Sequence, residues 1–320
     1  MSPITTPPVA GANDTRALIF AFALMLAGIV IAPFALYPVF LMKVMSFALF
    51  ACGFNLLFGY AGIMSFGHAA FFGSGSYIAA WTVEALGFSP ELALLAALVG
   101  GAAIGVVFGY IAIRRQGLYF AMVTLALAQL LYFACVQAPF TGGENGVHNA
   151  HRGAVFGLFS IESDLAAYAF VSIIFLAGFL LVARVVHSPF GQVLKATRDN
   201  EARALSLGYP VMRYKLIAFV LSSALAALAG GLKAIALGLA TLTDVHFSTS
   251  GDVVLMTLLG GIGTLFGPVV GAVVASSMWE YLSRLGSWVT FIQGFIFVLC
   301  VLAFRRGIVG ELAALFKTKL

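Results

Sequence analysis

The chain has 320 residues, 62% of them hydrophobic and 9% charged, with a formal net charge of +5 at neutral pH. A soluble domain carries about 25% charged residues, so this composition excludes an ordinary globular protein and indicates a polytopic α-helical membrane protein. Long continuous apolar runs exclude a transmembrane β-barrel, and positive charge confined to short loops is a topology signal rather than a nucleic-acid footprint.

Residues 1–16, rich in Pro and Thr and without a basic n-region, read as a short disordered tail before a retained first span at 17–40. A second span covers 42–58, and a glycine-rich break, GYAGIMSFGH, follows at 59–68. Further spans fall at 69–86, 92–113, 118–136, 165–186 and 216–240. Two short ones at 252–262 and 268–282 are separated by GTLFG, and a last one runs 288–304. The expected fold is an all-α polytopic membrane protein of about ten transmembrane or half-membrane helices, in a membrane domain at 17–304 with a tail at 305–320. The two short spans fall below the ~20 residues a hydrocarbon core needs, so they are expected to be broken, tilted or sheltered by protein.

The Lys and Arg bias orients the chain. Arg114 and Arg115, the 187–215 loop, and Arg305 and Arg306 in the 305–320 tail are placed in the cytoplasm. Alternation then requires 252–282 to cross twice, puts both termini in the cytoplasm and turns 137–164 and 241–251 outward. One uninterrupted crossing through 252–282 is the rival, and it would put the basic tail outside. Phe66-Gly67 after the first break is echoed by Phe266-Gly267 after the second. Glycine-broken hairpins in two related halves are therefore expected, a pointer to a transport pathway. Gly101, Gly105 and Gly109 form a GxxxGxxxG ridge, and Gly263, Gly267 and Gly271 repeat its spacing. Both ridges read as close helix packing, with pore lining as the alternative.

Polar groups at membrane depth bond within protein or line a cavity. Asn55 and Ser65 accordingly read as helix–helix hydrogen bonds or pathway contacts, and His68 as a cap on the break. Lys233 either snorkels along its stem or neutralises a carboxylate on a passing solute. Cys52, Cys135 and Cys300 are scattered in apolar runs and read as packing residues. His148 and His151, near Glu144, have HxxH spacing without Cys or a helical HExxH, so a solvated loop is expected there and no metal site.

The polar island is 191–215, with Lys195, Arg198, Arg203, Arg213 and Lys215 against Asp199 and Glu201. Pro189 and Gly191 are expected to end one helix, and 192–207 to form a short amphipathic helix with Val193, Leu194, Ala204, Leu205 and Leu207 on its apolar side. Gly208 is the expected C-cap, and Pro210 prevents continuation. Such a segment is either a solvated positive loop or a coupling helix gripping a cytoplasmic partner.

The run Asn200-Glu201-Ala202-Arg203-Ala204-Leu205-Ser206-Leu207-Gly208 resembles the EAA-type loop of ABC-transporter permeases, with Arg203 where a small residue is more usual. With Arg198 upstream and Arg213-Tyr214-Lys215 downstream, it is similar to the branched-chain amino-acid permease family, LivM-type subunit. Three more segments resemble that family: Asn55 to Gly62 with Ser65-Phe66-Gly67-His68-Ala69, Thr141-Gly142-Gly143 through Gly146, and Gly260 to Thr264 with Gly267-Pro268.

The resemblance implies a bacterial inner-membrane permease subunit of an ATP-driven importer for branched-chain amino acids or a related small polar solute. It implies as partners two cytoplasmic ATP-binding subunits, a second permease chain in a hetero- or homodimer, and a periplasmic or lipid-anchored binding protein. Arg198, Asn200, Glu201, Ala202, Ala204 and Gly208 would couple to the ATPase. Asn55, Ser65, Gly67, His68, Thr264, Gly267 and Pro268 would belong to the translocation pathway, and Thr141, Gly142, Gly143 and Gly146 would touch the binding protein. The chain has no GxxxxGK[ST] phosphate loop. No catalytic residue, metal or cofactor is expected on it, ATP and Mg belonging to the partner subunits. The alternative is an ion-gradient-driven secondary transporter, which calls for an essential intramembrane carboxylate; Glu84, Asp252 and Glu280 all fall near predicted span ends. A membrane enzyme lacks HExxH, CxxC or clustered carboxylates to support it.

Overall fold

The computed structural model describes residues 12–148, 152–155, 159–282, 288–303 and 307–315. The expectations for residues 1–11, His151, Arg305, Arg306 and 316–320 lie outside these. Helix α1 (Ala12–Ala35) begins inside the segment expected as a tail. α2 (Pro38–Asn55) starts with proline, whose missing N–H is one a first turn leaves free anyway. It runs on through one π-helical turn, Leu56–Tyr60. α3 (His68–Leu86) ends on Gly87, which takes the left-handed conformation a C-cap favours. α4 (Pro90–Ala112), α5 (Leu118–Gln137) and α6 (Asp164–His187) follow, then α7 (Pro189–Asp199), α8 (Glu201–Ser206) and α9 (Val211–Leu237). α10 (Leu242–Val245), α11 (Phe247–Gly260), α12 (Gly267–Leu282), α13 (Val289–Ala303) and α14 (Gly307–Leu315) complete the order. α14 falls in the segment read as a tail; its Gly307 lies on the backbone of Gly261, and Val309 is buried.

Among the described residues, six helices are long and apolar enough to cross a membrane: α1, α2 with its π turn, α4, α5, α6 and α9. α11, α12 and α13, with 14, 16 and 15 residues, are shorter than the ~20 a crossing needs. α11 and α12 pack antiparallel. The chain reverses between them, laying Gly260 on Gly267 and Gly271 on the Met256 carbonyl. This reversal does not fit one uninterrupted segment through 252–282.

α9 is the axis of the bundle. Every residue from Ser222 to Ala236 is buried, against α2, α3 and α4. Most of them are Ala, Gly or Ser. Lipid gives no hydrophobic drive between helices, so close approach through small residues must hold them together. A Cβ added at Gly101, Gly105 or Gly109 of α4 would run into Ala227, Ser223 or Phe219 of α9. The first glycine ridge is therefore a helix contact. The second is not one face, because Gly263 sits in the reversal, at φ 72°, rather than on α12. Phe50, Phe71, Phe72, Phe108 and Phe219 fill the larger spaces with rings 4.6, 5.5 and 5.6 Å apart. α1 lies at the edge, with Phe20, Leu24, Ile31 and Phe34 exposed as a lipid-facing surface would be.

The polar island is two helices where one was expected. Ser188 caps α7, and Gly191 sits inside it because a side chain there would strike the carbonyls of Val185 and Val186. Asn200 then leaves helical conformation, and its Oδ1 accepts from the Arg203 N–H at 2.9 Å, starting α8 afresh. An amphipathic pattern does not reveal such an internal cap. Gly208 takes φ 85° as the expected terminator.

Candidate functional site

The two glycine breaks meet, and the polar island reaches them. Asn55, buried at the end of α2, donates from Nδ2 to the Thr264 carbonyl at 2.9 Å and accepts at Oδ1 from the Gly263 N–H at 3.0 Å. One side chain thus satisfies both backbone groups of the reversal before α12. Gly59, in the π turn, packs so closely on Gly263 that a Cβ would lie 2.6 Å from its nitrogen. Thr264 accepts from the Gly267 N–H at 3.1 Å and donates to the Gly261 carbonyl at 2.8 Å, and Pro268 is buried in the first turn of α12.

Arg198, from α7, donates from Nη1 to the Gly59 carbonyl at 2.5 Å. Its stem covers Gly62, whose φ of 73° and 2.6 Å approach leave no room for a Cβ. α7 is held further by Lys195 over the Tyr60 ring at 5.4 Å, and by Phe190 stacked on Tyr214 at 5.5 Å. Burial, and then the Arg198 charge, lower the pKa of Lys195. Glu201, at the start of α8, pairs with Lys215 at 2.7 Å and accepts from Gln116 at 3.3 Å. A cavity of about 480 Å³ opens here, between Gly62 and Met64 of the break, Arg115 and Gln116 of the α4–α5 turn, and Arg198 and Glu201. Leu194 and Ala204 are buried, whereas Ala202, Leu205 and Leu207 face outward.

The other residues of the first break expected on the pathway face another way. Ser65 and Gly67 sit against α5: Ser65 Oγ accepts from the Gly67 N–H at 3.2 Å, and the Phe66 N–H donates to Thr124 at 3.3 Å. His68 is fully buried among Phe54, Phe71 and Phe219, with Nε2 2.8 Å from Ser222 Oγ, which donates to the Gly53 carbonyl at 2.6 Å. Asn55 and Thr264 therefore come together, while Ser65, Gly67 and His68 tie α3 to α5 and α9.

Thr141, Gly142, Gly143 and Gly146 lie at the other end of α9. Thr141 donates to the Cys135 carbonyl at 2.5 Å, and the three glycines have φ of 70°, 59° and 73°. The strand β1 (Val147–His148) that follows pairs antiparallel with Leu239–Ala240. His148 Nε2 lies 2.6 Å from the Asn145 carbonyl. Lys233 neither snorkels nor stays free: its Nζ lies 2.9 and 2.7 Å from the two oxygens of Asp244. Ser76 Oγ and the Thr241 N–H donate to the same carboxylate, each at 3.2 Å. An intramembrane Lys demands a partner, and that demand is the signal in the sequence for this pair; Asp244 lies in the 241–251 segment expected to face outward.

A bundle of long apolar helices, tied through two glycine breaks to a basic helical segment, defines a multi-pass membrane protein. A family model described as branched-chain amino acid transport system / permease component matches residues 36–302. The chain belongs to this family of permease components, which together with its apolar helices makes it a multi-pass protein of the bacterial inner membrane. It is similar to the high-affinity branched-chain amino acid transport system permease protein LivM of Salmonella typhimurium, at 25% identity over 82% of this chain and 68% of the relative. It is also similar to the ribose import permease protein RbsC of Escherichia coli, at 29% identity over 61% of this chain and 62% of the relative. The L-arabinose ABC transporter permease protein AraH of Azospirillum brasilense is 28% identical over 72% of this chain and 70% of its own. No solved structure matches the chain.

Proposed function

We propose that this chain is the permease subunit of an ATP-driven importer that moves branched-chain amino acids or a related small polar solute. A periplasmic or lipid-anchored binding protein delivers the solute to the Thr141–Gly146 end. A second permease chain completes the pathway, and two cytoplasmic subunits hydrolyse ATP with Mg at their own sites. In this reading ten segments cross or enter the membrane, in two related halves, with both termini and the 187–215 segment in the cytoplasm.

The observation that carries the reading is the contact of Arg198 with the Gly59 carbonyl. α8 offers Ala202, Leu205 and Leu207 to a partner, while α7 touches the place where both breaks converge. A displacement of α7 and α8 by an ATPase dimer pulls on Gly59, and through Gly59 and Asn55 on the reversal before α12. Coupling then needs only rigid-body movement of a short helical unit.

The test is uptake in proteoliposomes holding the chain with its native partners. Glu201→Arg, and separately deletion of 198–208, should abolish ATP-dependent uptake while the chain remains in the membrane. Normal uptake by both variants, or wild-type uptake that runs without ATP on an ion gradient, would overturn the proposal.

A further inference from the structure

We infer that the α10 end of the bundle holds a solute-reading cavity, in which Lys43 and Asp252 take the two charged ends of a zwitterion. The inference rests on the importer reading for there being a solute to read. A cavity of about 420 Å³ opens where α2, α11, α12 and the segment after α9 meet. That volume falls within the ~300–1,000 Å³ of small-molecule pockets. Lys43, Lys233, Asp244 and Asp252 all line it.

Two of these charges cancel. Lys233 grips both oxygens of Asp244, and Ser76 and Thr241 complete the carboxylate's hydrogen bonds. The other two remain open. Lys43 and Asp252 are half-buried, and neither makes an ion pair or hydrogen bond among the described residues. Each is the sixth residue of its helix, α2 starting at Pro38 and α11 at Phe247. At ~1.5 Å per residue both lie about 8 Å in from their helix starts.

A charged side chain at membrane depth pairs or lines a water-filled cavity. Here an ammonium and a carboxylate, without partners among the described residues, face one cavity. Phe47 and Trp279, edge to face at 5.6 Å, add an apolar wall to it. The combination fits a small solute carrying a carboxylate, an ammonium and an apolar side chain. An uncharged sugar would leave both protein charges without counter-ions. Selection would then reside in this chain as well as in the binding protein.

The test uses the permease–ATPase assembly in nanodiscs without its binding protein. Saturation-transfer NMR, which detects millimolar binding, reads leucine as the zwitterionic probe and ribose as the uncharged one. Wild type should bind leucine in preference to ribose. K43Q and D252N should each weaken leucine binding by about 10-fold or more. K43R should retain it, and the swap K43D/D252K should recover part of it. Equal binding of leucine and ribose, or leucine binding unchanged in K43Q and D252N, would overturn the inference. So would loss of the second permease chain from these variants, since the pair would then be an interface contact. ATP-dependent uptake by wild type is measured alongside; its absence with leucine binding intact removes the importer reading and leaves the zwitterion site standing.

Discussion

The two ends of α9 are held by different chemistry. At the α10 end a buried ion pair, Lys233 with Asp244, is braced by Ser76 and Thr241, and a short β-pairing ties Val147 and His148 to Leu239 and Ala240. At the α7 end an ion pair, Lys215 with Glu201, is partly open to solvent, with Glu201 40% exposed, and the breaks themselves are tied by single hydrogen bonds to glycine-rich backbone: Arg198 to Gly59, and Asn55 to Gly263 and Thr264. Removing one partner of a buried ion pair costs ~3–5 kcal/mol, whereas a typical hydrogen bond contributes ~0.5–1.5 kcal/mol. Both ends border a cavity, about 480 Å³ at the α7 end and about 420 Å³ at the α10 end, so the contrast lies in the ties. The difference assigns a frame to one end and a yielding joint to the other.

The largest way to break this comparison is at the frame. Lys233→Met leaves Asp244 buried without its cation and should destabilise the chain by ~3–5 kcal/mol, measured by unfolding in detergent. The double change K233M/D244L should recover only part of that, because an apolar pair removes the stranded charge but leaves the Ser76 hydroxyl and the Thr241 N–H without their acceptor. A single variant as stable as wild type would show that water already reaches the pair. At the joint the effects are smaller. Asn55→Ala leaves the Gly263 N–H and Thr264 carbonyl unpaired and should cost ~1–3 kcal/mol. Gly59→Ala drives a methyl into the Gly263 backbone and should cost a similar ~1–3 kcal/mol. Both should impair uptake more than their stability loss accounts for. Asn55→Asp sharpens the point, because it keeps the acceptor for Gly263 and loses the donor to Thr264.

Much of this was legible in the sequence. Apolar runs located the long helices, and the glycine spacing located the packing face of α4 though not its partner α9, because period and residue size are local properties and the partner is not. Gly208 and the two breaks were equally readable, since a required φ is written in the residue itself. Asn55 was seen as a polar group at depth, yet its role as a clamp on Gly263 and Thr264 depends on two segments about 200 residues apart meeting in space. The split of 192–207 at Asn200 was missed for the reverse reason: amphipathic spacing continues across the cap and masks it. Lys233 reads in the sequence as snorkelling or solute-facing rather than as half of an ion pair, because Asp244 sits where hydropathy reads as loop. α14 was hidden behind a basic tail signal.

The smallest expected change in stability carries the sharpest mechanistic reading. Arg198 is 39% exposed, and its tie to the breaks is one hydrogen bond, so Arg198→Met should shift stability by only about 1 kcal/mol. Its expected effect is on coupling: ATP hydrolysis by the assembled transporter continues while uptake falls, because α7 moves without pulling Gly59. Arg198→Lys keeps the charge but loses the planar fork that reaches the carbonyl, and should lie between the two. If hydrolysis and uptake fell together, Arg198 would serve ATPase docking and the joint would lie elsewhere. Hydrolysis retained with uptake lost would place the transmission step in the contact between one arginine and one glycine carbonyl.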